Sequence, residues 1–212
     1  MKGDSVFGVV LVFAALAFVM SAFFYFSDDT WITGYATTAD NATVNVTVES
    51  QASINFTVDN INFGSGRVQG AANATLDTSK GTVVGGNFTA VGNGVQLQNI
   101  GNSNLTLFVG FSKNASQFFG GASPSYAFNI TNNQTAVACN FTAGFNPAIF
   151  NEVNHTHIFN ASQDGVKVCD KLFFEDTRDD IRIDVRLMIP SDSRTGALSD
   201  VITASANENT TA

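Results

Sequence analysis

Thirteen triplets of the form Asn-x-Ser/Thr, none with Pro in the middle, begin at Asn41, Asn45, Asn55, Asn73, Asn87, Asn104, Asn114, Asn129, Asn133, Asn140, Asn154, Asn160 and Asn209. Each presents the side-chain amide that N-linked glycan transfer uses. The chain has 22 asparagines, so 13 in such triplets far exceeds the about four that chance gives. Strand alternation explains part of the excess. In Asn45-Val46-Thr47, Asn55-Phe56-Thr57, Asn87-Phe88-Thr89, Asn104-Leu105-Thr106 and Asn140-Phe141-Thr142 an apolar residue separates two polar ones on the same face. Alternation does not dictate Asn first and Thr third, and the triplets at Asn73, Asn114 and Asn154, read as loops, owe nothing to it. The expectation is an exported chain carrying N-linked glycans.

Cys139 and Cys169 are the full complement of cysteines. In an exported protein an even pair reads as a disulfide, and closing a loop of about thirty residues stabilises by roughly 3–4 kcal/mol in the chain-entropy model. Two free buried thiols are the alternative. Neither cysteine has a histidine at zinc-ligand spacing. His155 and His157 flank Thr156 and share one face of an extended chain, which supports at best a weak surface metal site. Glu175, Asp176, Asp179 and Asp180 place four carboxylates within six residues. Oxygen ligands at that density suit Ca²⁺. Arg178 stands among them and no Asp-x-Asp-x-Asp-Gly spacing occurs, so a solvated acidic turn is the favoured reading and no cofactor is expected.

Catalytic patterns are missing. There is no G-x-S-x-G, two histidines are too few to place a triad, and Gly64-Ser65-Gly66 is followed by no helical pattern that would make it a phosphate loop. The chain reads as a non-enzyme. Its net charge of −8 lacks the positive field that nucleic acid requires.

The elements that carry these residues are mostly strands. Only 13% of the 212 residues are charged and 20 are Phe, so neutral Asn, Thr, Ser and Gly must build the surface. Period-two alternation begins with Val44, Val46 and Val48, then Ile54, Phe56 and Val58. It returns over 94–99, 105–111, 126–131, 136–142, 166–174 and 180–189, with a last run over 200–204. In the clearest case Ile181, Ile183, Val185, Leu187 and Ile189 point inward and Arg182, Asp184 and Arg186 outward. Residues 113–119 suffice for one or two helical turns. About eight to ten strands without crossover helices imply an antiparallel β-sandwich of immunoglobulin or jelly-roll type.

Ahead of these strands, Val6 to Phe26 is a run of 21 uncharged, mainly apolar residues. As a helix it spans about 30 Å, the hydrocarbon thickness of a bilayer. The expected fold class is therefore mainly β, with an N-terminal hydrophobic α-helix followed by the sandwich. The expected division is a leader over 1–3, the hydrophobic helix over 4–26, a linker over 27–40, the sandwich over 41–206 and a polar tail over 207–212. Trp31 and Tyr35 suit a bilayer interface or a lid over the first strands.

Three fates fit residues 1–26: removal as a secretory signal, retention as an anchor, or trimming of a short leader. Met1-Lys2-Gly3, followed by Asp4-Ser5 and then Val6-Phe7-Gly8-Val9-Val10-Leu11, resembles the N-terminus of archaeal type IV pilins. The resemblance covers about fifteen residues and implies cleavage between Gly3 and Asp4, with the exposed apolar helix packing against copies of itself in a filament. The implied function is a structural subunit of an extracellular pilus-like filament. It would be membrane-inserted before assembly and have itself and N-linked glycans as partners. Two alternatives are a membrane-anchored binding or adhesion module with a recognition loop near 118–125, and a secreted filament subunit that lends the strand 30–40 to its neighbour.

Overall fold

In the computed structural model the described residues are 45–70, 72–154 and 165–209. Their eleven strands all lie in the unit Val48–Ala212 and form two antiparallel sheets, one of seven strands and one of four. The seven-stranded sheet contains β1 (Ile54–Val58), β2 (Asn73–Asp77), β3 (Thr82–Val84), β4 (Val95–Asn99), β6 (Ser125–Asn132), β8 (Asn151–Glu152) and β10 (Asp180–Pro190). The other contains β5 (Leu105–Phe111), β7 (Cys139–Phe141), β9 (Val166–Leu172) and β11 (Ile202–Glu208), in the order β11-β5-β9-β7. A single helical turn, α1 (Ala115–Phe118), is capped by Asn114 and Gln117 bonding to each other's backbone N–H.

β10 organises the larger sheet. Its inward residues Ile181, Ile183, Val185, Leu187 and Ile189 are buried, each contributing about 1.5–3 kcal/mol by leaving water. Opposite them β5 supplies Leu105, Leu107, Val109 and Phe111, and the Phe111 ring meets Phe128 of β6 at 4.9 Å and Tyr126 at 5.2 Å. One edge of β10 pairs with β6 along residues 181–188. The other edge is shared: β4 takes residues 180–183 and β2 takes residues 186–190.

At this fork, between the two neighbours, the backbone ladder is interrupted and side chains complete it. Thr78 Oγ1 accepts from the Val185 N–H at 2.9 Å and donates to Asp184 Oδ1 at 2.9 Å, while the Thr78 N–H donates to the Val185 carbonyl at 3.1 Å. The Gly94 N–H reaches Asp184 Oδ1 at 3.1 Å, and Arg182 Nε reaches Oδ2 at 2.8 Å. Only glycine fits at 94, because a Cβ there would stand 2.0 Å from the Ile183 carbonyl oxygen. Asp184, expected on the wet face, is therefore fully buried. Alternation placed it outside, but the fork folds polar chain over it.

The two sheets are tied at one end by Asn99, buried at the end of β4. Its Nδ2 donates to the Ser103 carbonyl at 2.9 Å and to the Phe173 carbonyl, just past β9, at 3.1 Å.

The expected fold class needs correction. Among the described residues the only helix is α1, of four residues, and no helix is long and apolar enough to cross a membrane. The architecture of the described residues is mainly β, two antiparallel sheets, and no hydrophobic helix precedes β1 among them. Residues 4–26, to which that helix was assigned, and the leader, Gly3, Asp4 and the linker 27–40 lie outside the described residues. A forked sheet of seven also departs from the immunoglobulin and jelly-roll frames. Asn73, expected in a loop, begins β2, and neither β3 nor β8 is among the expected runs, since strands of two to five residues leave little alternation to detect. Conversely, Val46 and Val48 alternate cleanly, yet 45–50 forms no strand.

Candidate assembly surface and modification sites

Cys139 on β7 and Cys169 on β9 form the expected disulfide, with Cα atoms 5.5 Å apart. β7 is a three-residue edge strand held by β9 alone, so the bond fixes the strand with the weakest ladder of its sheet. Both sulfurs are buried in the core.

The expected glycan acceptors divide by exposure. Asn45, Asn55, Asn87, Asn133, Asn140 and Asn154 are exposed. Asn73, Asn104, Asn114, Asn129 and Asn209 are half-buried, and several are committed to local bonds. Asn114 Oδ1 caps α1, Asn129 Oδ1 accepts from the Ile130 N–H, and Asn209 Nδ2 donates to the Asp170 carbonyl. Asn41 and Asn160 lie outside the described residues, as do His155 and His157.

Four of the six exposed acceptors lie at the margins of the sheets. β1 and β7, each an edge strand, carry Asn55 and Asn140; Asn87 follows β3 and Asn154 follows β8, also edges. The fifth edge, β11, has no exposed acceptor: Asn209 at its end is half-buried and bonded to Asp170. An exposed strand edge is a template for another strand unless something blocks it, and a bulky sugar blocks it.

Beside the start of β11 is an open cleft of about 1090 Å³, lined by Phe56, Phe63, Phe88, Tyr126, Leu187 and Ile202 among others. Its polar rim includes Arg194, whose Nη1 donates to the Gln117 carbonyl at 2.9 Å, and Asp200, which accepts from the Ser112 hydroxyl. Burial pushes the Tyr126 phenol well above its ordinary pKa, and the Asp200 carboxylate adds to the shift. Apart from Phe118 and Phe119, which belong to the loop near 118–125, the lining is not legible in the sequence, because it comes from segments as far apart as 56 and 202.

The acidic run is distributed among separate partners. Glu175 pairs with Arg178 at 2.8 Å, and Asp179 accepts from Gln98 Nε2 and Gln134 Nε2, each at 2.9 Å. Asp180 Oδ2 accepts from Asn133 Nδ2 at 2.7 Å; burial raises the Asp180 carboxyl above the usual range, with Asn133 opposing and Asp179 adding. Asp176 contributes its carbonyl, not its carboxylate, to Gln134. Among the described residues no group of three or more His, Cys, Asp or Glu is arranged to hold a metal ion.

No protein-family model, curated protein or solved structure matches the chain.

Proposed function

We propose that this protein is a structural subunit of an extracellular, pilus-like filament at the cell surface, held in the membrane before assembly. The observation that carries the reading is the run Val6–Phe26, two residues behind Lys2-Gly3. Twenty-one uncharged residues with this much apolar surface cannot stay in water, at about 25 cal/mol per Å² of apolar area. Outside a bilayer the segment has to be buried against other copies of itself. Gly8, Ala14, Ala15, Ala17 and Ala22 allow close approach, while Leu11, Phe13, Leu16 and Phe23 supply bulk.

In this reading the two-sheet unit faces outward and carries N-linked glycans at its exposed acceptors, Asn45, Asn55, Asn87, Asn133, Asn140 and Asn154. The resemblance to archaeal type IV pilins adds cleavage after Gly3. Mass spectrometry of the surface protein tests it: the expected mature chain starts at Asp4. An intact Met1, or a start beyond Phe24, overturns the reading.

A further inference from the structure

We propose that the outer edge of β11 receives the segment Asn45–Glu49 of a second copy as an added strand, with Val46 and Val48 covering the apolar cleft. The inference rests on the filament reading and adds to it a contact between neighbouring outer domains.

The acceptor is defined by hydrogen-bond phase. The Ser112 N–H donates to the Val201 carbonyl at 3.0 Å, and the Asn209 N–H to the Asn104 carbonyl at 2.8 Å. In an antiparallel ladder such pairs recur at every second residue, so the odd-numbered residues from 201 to 209 turn their backbone toward β5. Ile202, Ala204, Ala206 and Glu208 consequently turn their N–H and carbonyl groups toward the outer edge. Among the described residues no strand pairs there. Ile202, Ala204 and Ala206 also pack their side chains against the core, so a strand laid along this edge would continue the sheet and its apolar face together. The other four edges carry or adjoin an exposed glycan acceptor, and this one does not.

The donor is defined by an unused pattern. Asn45-Val46-Thr47-Val48-Glu49 alternates like a half-buried strand, yet it forms none, and Val46 and Val48 are each 77% exposed. The chain is fastened at the end of this segment, leaving Asn45–Val48 to reach out: Asn102 Nδ2 donates to the Glu49 carbonyl at 3.0 Å, and the Gln51 N–H donates to Asn102 Oδ1 at 2.6 Å. Among the described residues 45–49 joins no strand and the outer edge of β11 has no strand beside it, and we assign the pairing to a second copy. Laid on β11 with its valines inward, the segment keeps Asn45, Thr47 and Glu49 in water, where a glycan on Asn45 is accommodated. Strand addition of this kind obtains affinity from main-chain bonds and specificity from alternate side chains.

Hydrogen exchange at the Ala204 and Ala206 amides, read on the full chain assembled and detergent-dispersed, tests the contact. Exchange is expected to be at least about tenfold slower in the assembled form. Full chain carrying Val46→Asp and Val48→Asp should still assemble through Val6–Phe26 but lose that slowing, whereas Val46→Ile should retain it. Equal exchange in assembled and dispersed wild-type chain overturns the contact and leaves the filament reading standing. Slow exchange already in the dispersed chain also overturns it, since a segment of the same chain then covers the edge. Failure of the full chain to assemble at all removes the filament reading and this contact together.

Discussion

Among the described residues, the middle of β10 and the outer edge of β11 both leave backbone groups without a neighbouring strand, and the two are treated in opposite ways. At the β10 fork, Thr78, Gly94 and Asp184 bond the exposed backbone and one another, and the region is sealed from water. At β11, among the described residues, no strand pairs with the outer edge, and small side chains and a cleft lie alongside. Interrupted pairing that is satisfied inside specifies a fold; interrupted pairing left at a margin is a place for something else to bind.

The largest expected effect breaks the closed region. Asp184→Ala strands Arg182 and removes the acceptor shared by Thr78 and Gly94, and should cost about 3–5 kcal/mol in chemical denaturation. A loss under about 1 kcal/mol would mean that the fork is not where the sheet is specified.

Next comes the covalent edge. Reducing the Cys139–Cys169 bond should lower stability by about 3–4 kcal/mol, because the unfolded loop of 30 residues regains its freedom. Melting under reducing and non-reducing conditions measures the difference, and non-reducing peptide mapping that finds both thiols free would refute the bond itself.

A smaller effect is tied to pH. Burial by itself raises the Asp77 carboxyl, but hydrogen bonds from Ser79 and the Arg186 guanidinium together hold it below the usual carboxylate range. Its folded pKa is depressed, so its contribution is fully present above about pH 4 and is lost as pH falls through the folded value. Asp77→Asn should cost about 1–3 kcal/mol at neutral pH, and the gap to wild type should narrow in urea titrations at progressively lower pH. A gap that stays constant with pH would show that the carboxylate charge is not involved.

Least affected should be the segment before β1. Val46→Asp is expected to change stability by no more than about 0.5 kcal/mol, since that side chain is 77% exposed. A loss of several kcal/mol would show that Val46 is packed within its own chain, and the contrast between closed and open regions would fail.

The long strands were readable because alternation persists over many residues: β5 coincides with the expected 105–111 and β10 runs one residue beyond 180–189. β11 was displaced, 200–204 expected against Ile202–Glu208 found, because Ala204, Ser205 and Ala206 differ too little in polarity to mark a face. The disulfide is legible from the even cysteine count together with the expectation of export. The fork was not, since it depends on Thr78, Gly94 and Asp184 meeting across 106 and 90 residues of chain. Thirteen sequons are plain in the sequence, but the set at the sheet margins emerges only when burial separates Asn55 and Asn140 from Asn114 and Asn129.

The filament reading is tested most directly by electron microscopy of the surface of cells producing the full chain, set beside cells producing Ala15→Asp. The wild-type chain should yield filaments in which peptide mapping finds this protein as the main subunit, while Ala15→Asp should yield none although its Cys139–Cys169 bond still forms. Filaments of unchanged number and composition from Ala15→Asp, or a wild-type chain recovered only as a monomer, would contradict it.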